Sequence, residues 1–392
     1  MDHDAASCQQ RHWSQPAPLL TPPASTRPVA ISPAIVSDAK NLYVVGNNLP
    51  PSDQPVPVGE TLTAWRVGYG SIGAPTSKRP FVFVSPKATI DPTGRLHILW
   101  AEPPAHEDTI PPYRWILQRT TSLWAAAYET QQGWSSPTRI YSGPITWNWR
   151  EISGPISQGA DGESLIAVPN EDGGILVLAL RDGRWNVTPI AGSNRSVYVS
   201  VLSLAEKRLL VVVQADTSQP HDRNSVFLYS QVGEGPWRFI KQVQRSGDQA
   251  AMEVRLVKAA SGRVHLVWRQ LIREDHFVIR HVQSDDGGAS WTQPSDLLPG
   301  GLIQNVEAAV DACGRLHVVY EDWEEKSFEA VRIGYATWDR EWSPPQRLHP
   351  AFASWNLALV PRTDGSLMLA FHGTMGKPTD RSGSAMMYSE LR

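Results

Sequence analysis

The sequence predicts an all-β chain, a seven-bladed β-propeller, from two repeat markers and one match at the N-terminus. The first marker is a turn followed by an apolar strand, as in residues 91–100 (DPTGRLHILW) and 311–320 (DACGRLHVVY). Its turn residue recurs at positions 41, 94, 162, 207, 262, 314 and 365. The second marker is a tryptophan at positions 134, 185, 237, 291 and 342. Both recur about every fifty residues, which is typical of repeat architectures.

Each repeat is expected to hold four short strands. The first ends at the turn, the second is the apolar run, the third resembles residues 333–336 (IGYA), and the fourth follows the tryptophan. Runs such as 175–180 (ILVLAL) and 209–213 (LLVVV) are bounded by turn residues and too short for helices. Four-stranded units repeated radially form propeller blades, and seven turn markers indicate seven blades.

The N-terminal segment predicts how the last blade is completed. Residues 13–20 (WSQPAPLL) match 291–298 (WTQPSDLL), which follow a third strand, and the chain finishes on a third-strand pattern, 386–391 (MMYSEL). We therefore expect the N-terminal segment to be the outer strand of the last blade, leaving few free edges. Residues 1–11 are expected to be a short flexible tail and residues 12–392 a single domain.

The composition agrees with this fold and argues against nucleic acid as a partner. The 392 residues include 32 prolines and 29 glycines for turns, and 41% of them are hydrophobic. A net charge of −3 without a long Lys/Arg run argues against nucleic acid. No apolar stretch approaches the ~18 residues that span a bilayer, so no transmembrane segment is expected.

Residues 284–291 (SDDGGASW) fit the Asp-box pattern S-x-D-x-G-x-[ST]-W. The chain therefore resembles the Asp-box (BNR-repeat) propellers of the sialidase-like superfamily, and the period extends this resemblance over nearly the whole chain. The resemblance implies a structural role, on the face opposite the ligand-binding mouth, for Ser284, Asp286, Gly288, Ser290 and Trp291. In such a hairpin the Asp accepts backbone N–H bonds, the Gly takes a positive φ, and the Trp fills the gap between strands.

The resemblance also raises an alternative function, a sialidase-type glycoside hydrolase. Sialidases use an arginine triad, an Asp acid/base and a Tyr nucleophile helped by a Glu. Tyr388 is the tempting nucleophile, but it aligns with Tyr128, Tyr229 and Tyr335 as a repeat feature of third strands. The chain lacks an F-R-I-P-like arginine motif, and sialidase domains have six blades rather than seven. We therefore expect a non-catalytic member and assign no catalytic residue.

Ligand contacts are expected in the loops that join strand two to three and strand four to one. The candidates there are Glu102, Tyr113, Arg114, Trp147, Trp149, Arg269, Glu321, Trp323 and Trp355. Aromatic residues could stack on sugar rings or anchor a protein partner, with packing at blade junctions as the alternative. Glu102 and Glu321 could form a carboxylate pair for glycoside hydrolysis, with solvated loop charges as the alternative.

Three histidines, His97, His265 and His317, share one repeat position in different blades. Because the repeat separates them, we expect a structural role, with no metal site and no cofactor.

The two cysteines, Cys8 and Cys313, make no disulfide framework and leave the redox compartment open. Residues 5–8 (AASC) resemble the end of a lipoprotein processing site, in which case Cys8 would carry a lipid anchor; a chance match in a short tail is the alternative. Relatives by resemblance are mostly extracytoplasmic, so a periplasmic or cell-surface location is favoured. The expected function is a binding or scaffolding propeller for a protein complex or a glycan at the cell envelope.

Overall fold

The structure is a computed structural model. The residues that it describes form β-strands and the turns and short connections between them. Those residues are 11–19, 34–38, 40–48, 61–73, 75, 86–102, 120–145, 156–159, 161–170, 174–190, 196–215, 224–243, 250–273, 276–298, 302–323, 331–349, 352–362, 364–375 and 385–392. Their strands form seven separate antiparallel sheets. The chain is thus the predicted seven-bladed β-propeller. None of the described residues form a helix of the length and apolarity that a membrane crossing needs.

By their contacts the residues form two compact units, Leu20–Ala205 and Met1–Leu19 with Glu206–Arg392. The first unit holds blades 1 to 3 and the first strand of blade 4. Its strands are β2 (Ala34–Ser37), β3 (Leu42–Asn48), β4 (Thr61–Arg66), β5 (Gly70–Gly73), β6 (Lys87–Ile90), β7 (Leu96–Glu102), β8 (Thr120–Glu129), β9 (Gly133–Trp134), β10 (Thr138–Ile145), β11 (Ser157–Gln158), β12 (Ser164–Pro169), β13 (Ile175–Arg181), β14 (Arg184–Ile190) and β15 (Ser196–Ser203). The blades have the orders β2-β3-β4-β5, β6-β7-β8-β10 with β9 on β8, and β11-β12-β13-β14.

The second unit holds the rest of blade 4 and blades 5 to 7. Its strands are β1 (Ala17–Pro18), β16 (Lys207–Ala215), β17 (Asn224–Val232), β18 (Arg238–Gln242), β19 (Ala251–Lys258), β20 (Val264–Arg273), β21 (His276–Ser284), β22 (Ser295–Leu297), β23 (Leu302–Val310), β24 (Leu316–Trp323), β25 (Val331–Asp339), β26 (Glu341–Trp342), β27 (Gln346–Leu348), β28 (Phe352–Pro361), β29 (Leu367–Met375) and β30 (Ala385–Leu391). The sheet orders are β15-β16-β17-β18, β19-β20-β21-β22, β23-β24-β25-β26 with β27 on β25, and β28-β29-β30-β1.

The second strand of each blade is the most buried, which explains its continuous apolar run. All six residues of β12 are buried, as are the first seven of β24. A strand covered on both faces needs apolar residues at every position. In a half-exposed strand, exposed and less exposed residues alternate, as they do over the first residues of β14.

Each blade has two ends, a turn end and a mouth end. At the turn end, the first strand passes to the second through the repeated turn, as at Asp311 and Gly314, whose N–H donates to the Asp311 carbonyl at 2.9 Å. At the mouth end, the first strand begins and the second strand finishes, as at Leu302 and Trp323, which are opposite each other in the register of β23 and β24.

The N-terminal segment completes blade 7, as predicted. β1 pairs antiparallel with β30, and Ala17 lies opposite Tyr388. Upstream of β1, the Ser14 N–H donates to the Glu390 carbonyl at 2.8 Å, and the Glu390 N–H donates to Ser14 Oγ at 3.0 Å. The Ser389 hydroxyl adds a hydrogen bond to the Ser14 carbonyl at 2.7 Å. The outer edge of β30 is therefore covered by a segment from the opposite end of the sequence.

Side-chain packing reinforces this pairing. The Trp13 ring meets the Tyr335 ring of blade 6 edge to face, with centroids 5.7 Å apart. Trp13 also packs on the apolar cluster shared by blades 6 and 7, which includes Leu357 and Phe371. The segment thus contacts two blades rather than one.

We predict that deletion of residues 11–22 prevents a stable monomer. The β30 edge would lose its backbone partners, and an unpaired edge invites association with other chains. Thermal melting and size-exclusion chromatography measure the effect. Deletion of residues 1–7 is the control and should leave both unchanged. A truncated chain that melts within a few degrees of the full-length protein would show that the closure is not needed.

Candidate functional site

The described candidate residues lie in strands, which corrects the prediction that they occupy loops. Glu102 is the last residue of β7, Arg269 lies in β20, Glu321 and Trp323 lie in β24, and Trp355 lies in β28. The second strands continue past their apolar runs because ladder pairing depends on the backbone, and polar side chains are tolerated when they find partners.

Four candidates, Tyr113, Arg114, Trp147 and Trp149, lie outside the described residues, as do the side chains of Glu102 and Trp355. A ligand role for these residues stays a prediction. The same holds for a carboxylate pair between Glu102 and Glu321.

At the mouth end of blade 5, Arg269 is buried and bound within the protein. Only 6% of the residue is exposed. Its Nη2 lies 2.8 Å from Glu253 Oε1, and its Nη1 donates to the Ile303 carbonyl of blade 6 at 2.5 Å. The guanidinium also lies over the Phe277 ring, 4.7 Å from the centroid. Arg269 therefore neutralises a buried carboxylate and joins two blades.

The first strands of blades 5 and 6 carry matching irregularities next to this arginine. Glu253 and Asn305 have φ values of 48° and 51°, and the register shifts between Met252 and Arg255 in blade 5. Glu253 Oε2 accepts the backbone N–H of Val306 at 2.8 Å, so one bulge is tied to the next. Positive φ is uncommon outside glycine, and β-bulges are frequent beside functional sites.

A second buried ion pair lies beneath these bulges. Arg255 and Glu307 occupy the same repeat position in blades 5 and 6, and Arg255 Nε and Nη2 lie 3.3 and 3.2 Å from the two carboxylate oxygens of Glu307. Both side chains are buried. A bidentate pair in a desolvated place fixes the orientation of both groups and holds the two strands in register.

The mouth end of blade 6 contains buried acidic residues and, beside them, a more exposed tryptophan. Glu321 is 2% exposed, and its neighbour Asp322 is bound by Arg347 Nε at 2.8 Å. Trp323 is half-buried at the end of β24. An aromatic side chain therefore stands at the end of β24, directly after two acidic residues, of which Asp322 is paired with Arg347.

Four residues of this site, Glu253, Arg255, Asn305 and Glu307, were not identified from the sequence. The signal that could have found them is a polar position repeated inside first strands, in residues 251–258 (AMEVRLVK) and 303–310 (IQNVEAAV). Charges inside an apolar strand need partners in the fold, and adjacent repeats are where those partners lie.

The three repeat histidines are bound within their own blades. His97 Nε2 lies 2.8 Å from Asp91 Oδ2, and His317 Nε2 lies 3.2 Å from Asp311 Oδ2. Within the described residues, no group of three or more His, Cys, Asp or Glu is placed to hold a metal ion.

Blade 5 departs from this pattern. Ala259 stands where blade 6 has Asp311, since each opens the repeated turn with the same backbone hydrogen bond. His265 Nδ1 instead lies 2.9 Å from His281 Nε2. Burial lowers the pKa of His265 to about 4, and burial together with the neighbouring His265 lowers the pKa of His281 further. Both rings are therefore neutral near pH 7.

The hairpin of residues 284–291 lies at the turn end of blade 5. Asp286 accepts the backbone N–H of Ser290 at 2.8 Å and the hydroxyls of Ser290 and Ser284 at 2.6 and 2.7 Å. These bonds lower the pKa of Asp286. Gly288 has a φ of 92°, and a Cβ there would lie 2.8 Å from Leu209 of blade 4. Trp291 Nε1 donates to the Gly288 carbonyl at 3.0 Å.

A cleft of about 550 Å³ lies at the turn ends of blades 2 and 3. Among its lining residues are Asp91, Arg95, Asp161 and Arg181. Arg181 Nε lies 2.5 Å from the buried Glu163 carboxylate, so part of the lining charge is neutralised inside the protein.

Comparison with solved structures supports the propeller fold. An ulvan lyase, described as a new family of polysaccharide lyase and bound to -[GlcA(1-4)Rha3S]-, aligns with a TM-score of 0.56 and 10% identity, covering 95% of each chain. A protein of unknown function from Dyadobacter fermentans aligns with a TM-score of 0.52 and 16% identity, covering 79% of this chain and 93% of that one. The NanB sialidase from Streptococcus pneumoniae aligns with a TM-score of 0.46 and 10% identity, covering 94% and 69%.

No protein-family model and no curated protein matches the sequence.

We predict that Glu307→Leu lowers the free energy of unfolding by about 3–5 kcal/mol, because it leaves the Arg255 guanidinium buried without its counter-charge. Urea denaturation measures the change. Adding Arg255→Met to Glu307→Leu should recover most of the loss. Glu234→Leu is the matched control, since Glu234 is 73% exposed and its pair with Arg208 spans 3.5 Å. This control should change stability by less than about 1 kcal/mol, and an equal loss in both variants would contradict the assignment.

We also predict that stability falls as the pH is lowered from about 6.5 towards 4. The pKa values of His265 and His281 lie below the usual value of 6.5, so the unfolded chain binds more protons in this window. Each histidine then contributes a loss of up to about 1.4 kcal/mol per pH unit. Urea denaturation at a series of pH values measures the slope. A His265→Leu/His281→Leu variant should give a flatter slope, and an unchanged slope would argue against the pair as its cause.

Proposed function

We propose that this chain is a non-catalytic, glycan-binding propeller that acts as a binding or scaffolding module at the cell envelope. The observation that carries the non-catalytic part is the pairing at the mouth of blades 5 and 6. Arg269 is bound to Glu253, and Arg255 is bound to Glu307. Arginines that neutralise internal carboxylates are poorly suited to hold the carboxylate of an incoming acidic sugar.

A polysaccharide is the ligand class that we favour. The ulvan lyase whose fold covers 95% of this chain is described as a polysaccharide lyase bound to -[GlcA(1-4)Rha3S]-. Propeller folds serve many functions, so the ligand must be recognised by groups at the mouth rather than by the fold. Trp323 offers a half-buried ring at the end of β24, next to Asp322, which Arg347 binds at 2.8 Å, and an aromatic face stacks well on a sugar ring.

The alternative is a sialidase-type glycoside hydrolase. Its nucleophile would be Tyr388, which lies in β30, the third strand of blade 7, opposite Ala370 and Ala17. Tyrosine catalysis requires a neighbouring carboxylate as a base and an arginine cluster that is free to bind the substrate. A protein partner is the other alternative, in which the same aromatic ring would anchor an interface.

We predict that Trp323→Ala weakens polysaccharide binding at least about fivefold, because removal of a central aromatic contact costs more than about 1 kcal/mol. Binding is measured on an array of neutral, uronic-acid and sulfated glycans, followed by calorimetry with the best ligand. Trp342→Ala is the matched control, since Trp342 is also half-buried in blade 6 but lies at the turn end. It should bind as the unmodified protein does.

Activity assays separate the binding hypothesis from the enzymatic one. The protein is expected to give no turnover of a fluorogenic sialoside. Turnover that disappears in Tyr388→Phe would establish the sialidase reading instead. An array without any glycan ligand, combined with a defined protein complex that Trp323→Ala abolishes, would establish the protein-scaffold reading.

A further inference from the structure

The cleft at the turn ends of blades 2 and 3 lies where the repeated turns of both blades meet a hairpin of blade 3. The two turns are in close contact, since a Cβ at Gly162 would collide with the Pro92 ring. The volume of about 550 Å³ is that of a small ligand site. Four carboxylates and two arginines line the cleft, which gives the lining a net charge of −2. They are Asp91, Asp161, Glu163, Asp182, Arg95 and Arg181.

The junction of blades 6 and 7 repeats this arrangement, and there a guanidinium of the chain itself lies between the turns. Arg11 Nη1 donates to the Gly365 carbonyl at 2.8 Å and lies 3.9 Å from Asp311 Oδ2. Asp311 takes the place of Asp91, since each carboxylate accepts the backbone N–H four residues on and lies beside the repeat histidine. Gly365 takes the place of Gly162, since each donates its N–H to the carbonyl three residues before.

The position of Arg11 is occupied by a glycine in blade 3. Trp185 and Trp13 have the same place in the outer strands of the two blades, and Gly183 and Arg11 each come two residues earlier. Gly183 belongs to a two-residue hairpin and has a φ of 72°, which favours glycine. In blade 7 the third and outer strands come from different ends of the sequence, so residue 11 lies in no such hairpin and can carry a long side chain. The place that Arg11 fills in one junction is therefore open in the other.

We propose that the cleft of blades 2 and 3 binds the guanidinium group of a ligand, which is either a free guanidinium compound or an arginine residue of a partner. The group lies between the Asp91 carboxylate and the Gly162 carbonyl, as Arg11 lies between Asp311 and the Gly365 carbonyl. A guanidinium presents several N–H donors in a plane, and its hydrogen bonds to carboxylates are strengthened by charge.

The two arginines of the lining do not exclude a further guanidinium. Arg181 Nε lies 2.5 Å from the buried Glu163 carboxylate, and Arg95 is paired with a glutamate of β8. In the junction of blades 6 and 7, Arg315 takes the place of Arg95, and Arg11 is nevertheless bound there. Glu163 stands where blade 7 has a serine, so the open cleft carries an additional carboxylate at this position.

This site is independent of the glycan site proposed at the mouth, because it lies at the turn ends and shares no residue with the mouth. It also uses no residue before Arg11. Cys8 lies outside the described residues, and a lipid anchor on it stays a prediction.

Calorimetry on the full chain tests the inference with two probes, methylguanidine and the capped peptide acetyl-Ala-Arg-Ala-amide. One molecule of either probe is expected to bind per chain. The same peptide with citrulline in place of arginine keeps the shape but lacks the charge, and it should bind at least about tenfold more weakly. Tighter binding of the arginine peptide than of methylguanidine would support a partner's arginine as the ligand, and equal binding would support a free compound. No binding of either probe, or equal binding of the citrulline peptide, would overturn the inference.

A charge-matched pair of variants tests whether the probes bind in the cleft. Asp161→Asn combined with Asp182→Asn neutralises the two exposed carboxylates of the lining and should weaken binding of the arginine peptide at least about fivefold. The control is Asp364→Asn combined with Asp339→Asn, which changes the net charge equally at exposed positions of blades 7 and 6 and should bind as the unmodified protein does. An equal loss in both variants would trace binding to net charge and contradict the site. Trp323→Ala should bind the arginine peptide unchanged, so this site and the glycan site can fail separately.

Discussion

Backbone pairing along the outer edge of β30 is the constraint on which blade 7 depends. A short strand in water is marginal by itself, and a blade gains stability only when its strands are paired and its faces are covered. The chain meets this requirement with residues from its other end, through hydrogen bonds at His12, Ser14, Ala17 and Leu19. Because Trp13 also contacts Tyr335 of blade 6, loss of this segment would affect two blades.

The fold was predictable because the same turn and strand pattern occurs several times along the sequence at a similar spacing. A single turn such as residues 91–95 is weak evidence, but seven turns with one spacing leave few architectures. The N-terminal strand was predictable for the same reason, since residues 13–20 match an internal fourth strand. Strand limits were harder. Glu321 and Trp323 continue β24 beyond its apolar run, and side-chain polarity does not report backbone pairing.

The buried charges were not predictable from individual residues. The sequence predicts that Arg269 lies in a loop and contacts a ligand, whereas the structure buries it in β20. Its burial depends on Glu253, which adopts a positive φ and reaches both Arg269 and the Val306 N–H. Each contact joins residues that are distant in sequence. Such partners are found by comparing equivalent positions of adjacent blades, as with Arg255 and Glu307, which carry opposite charges and form an ion pair.

The pairing of His12 with Arg392 has a consequence for the order in which the blades are encoded. Their backbones exchange hydrogen bonds at 3.1 and 3.3 Å, so a short linker could join them without moving a strand. The chain could then be opened between two blades, such as between β22 of blade 5 and β23 of blade 6, to give a circular permutant. In that permutant every blade could be built from consecutive sequence. The present order is thus one of several that encode the same set of strand pairings.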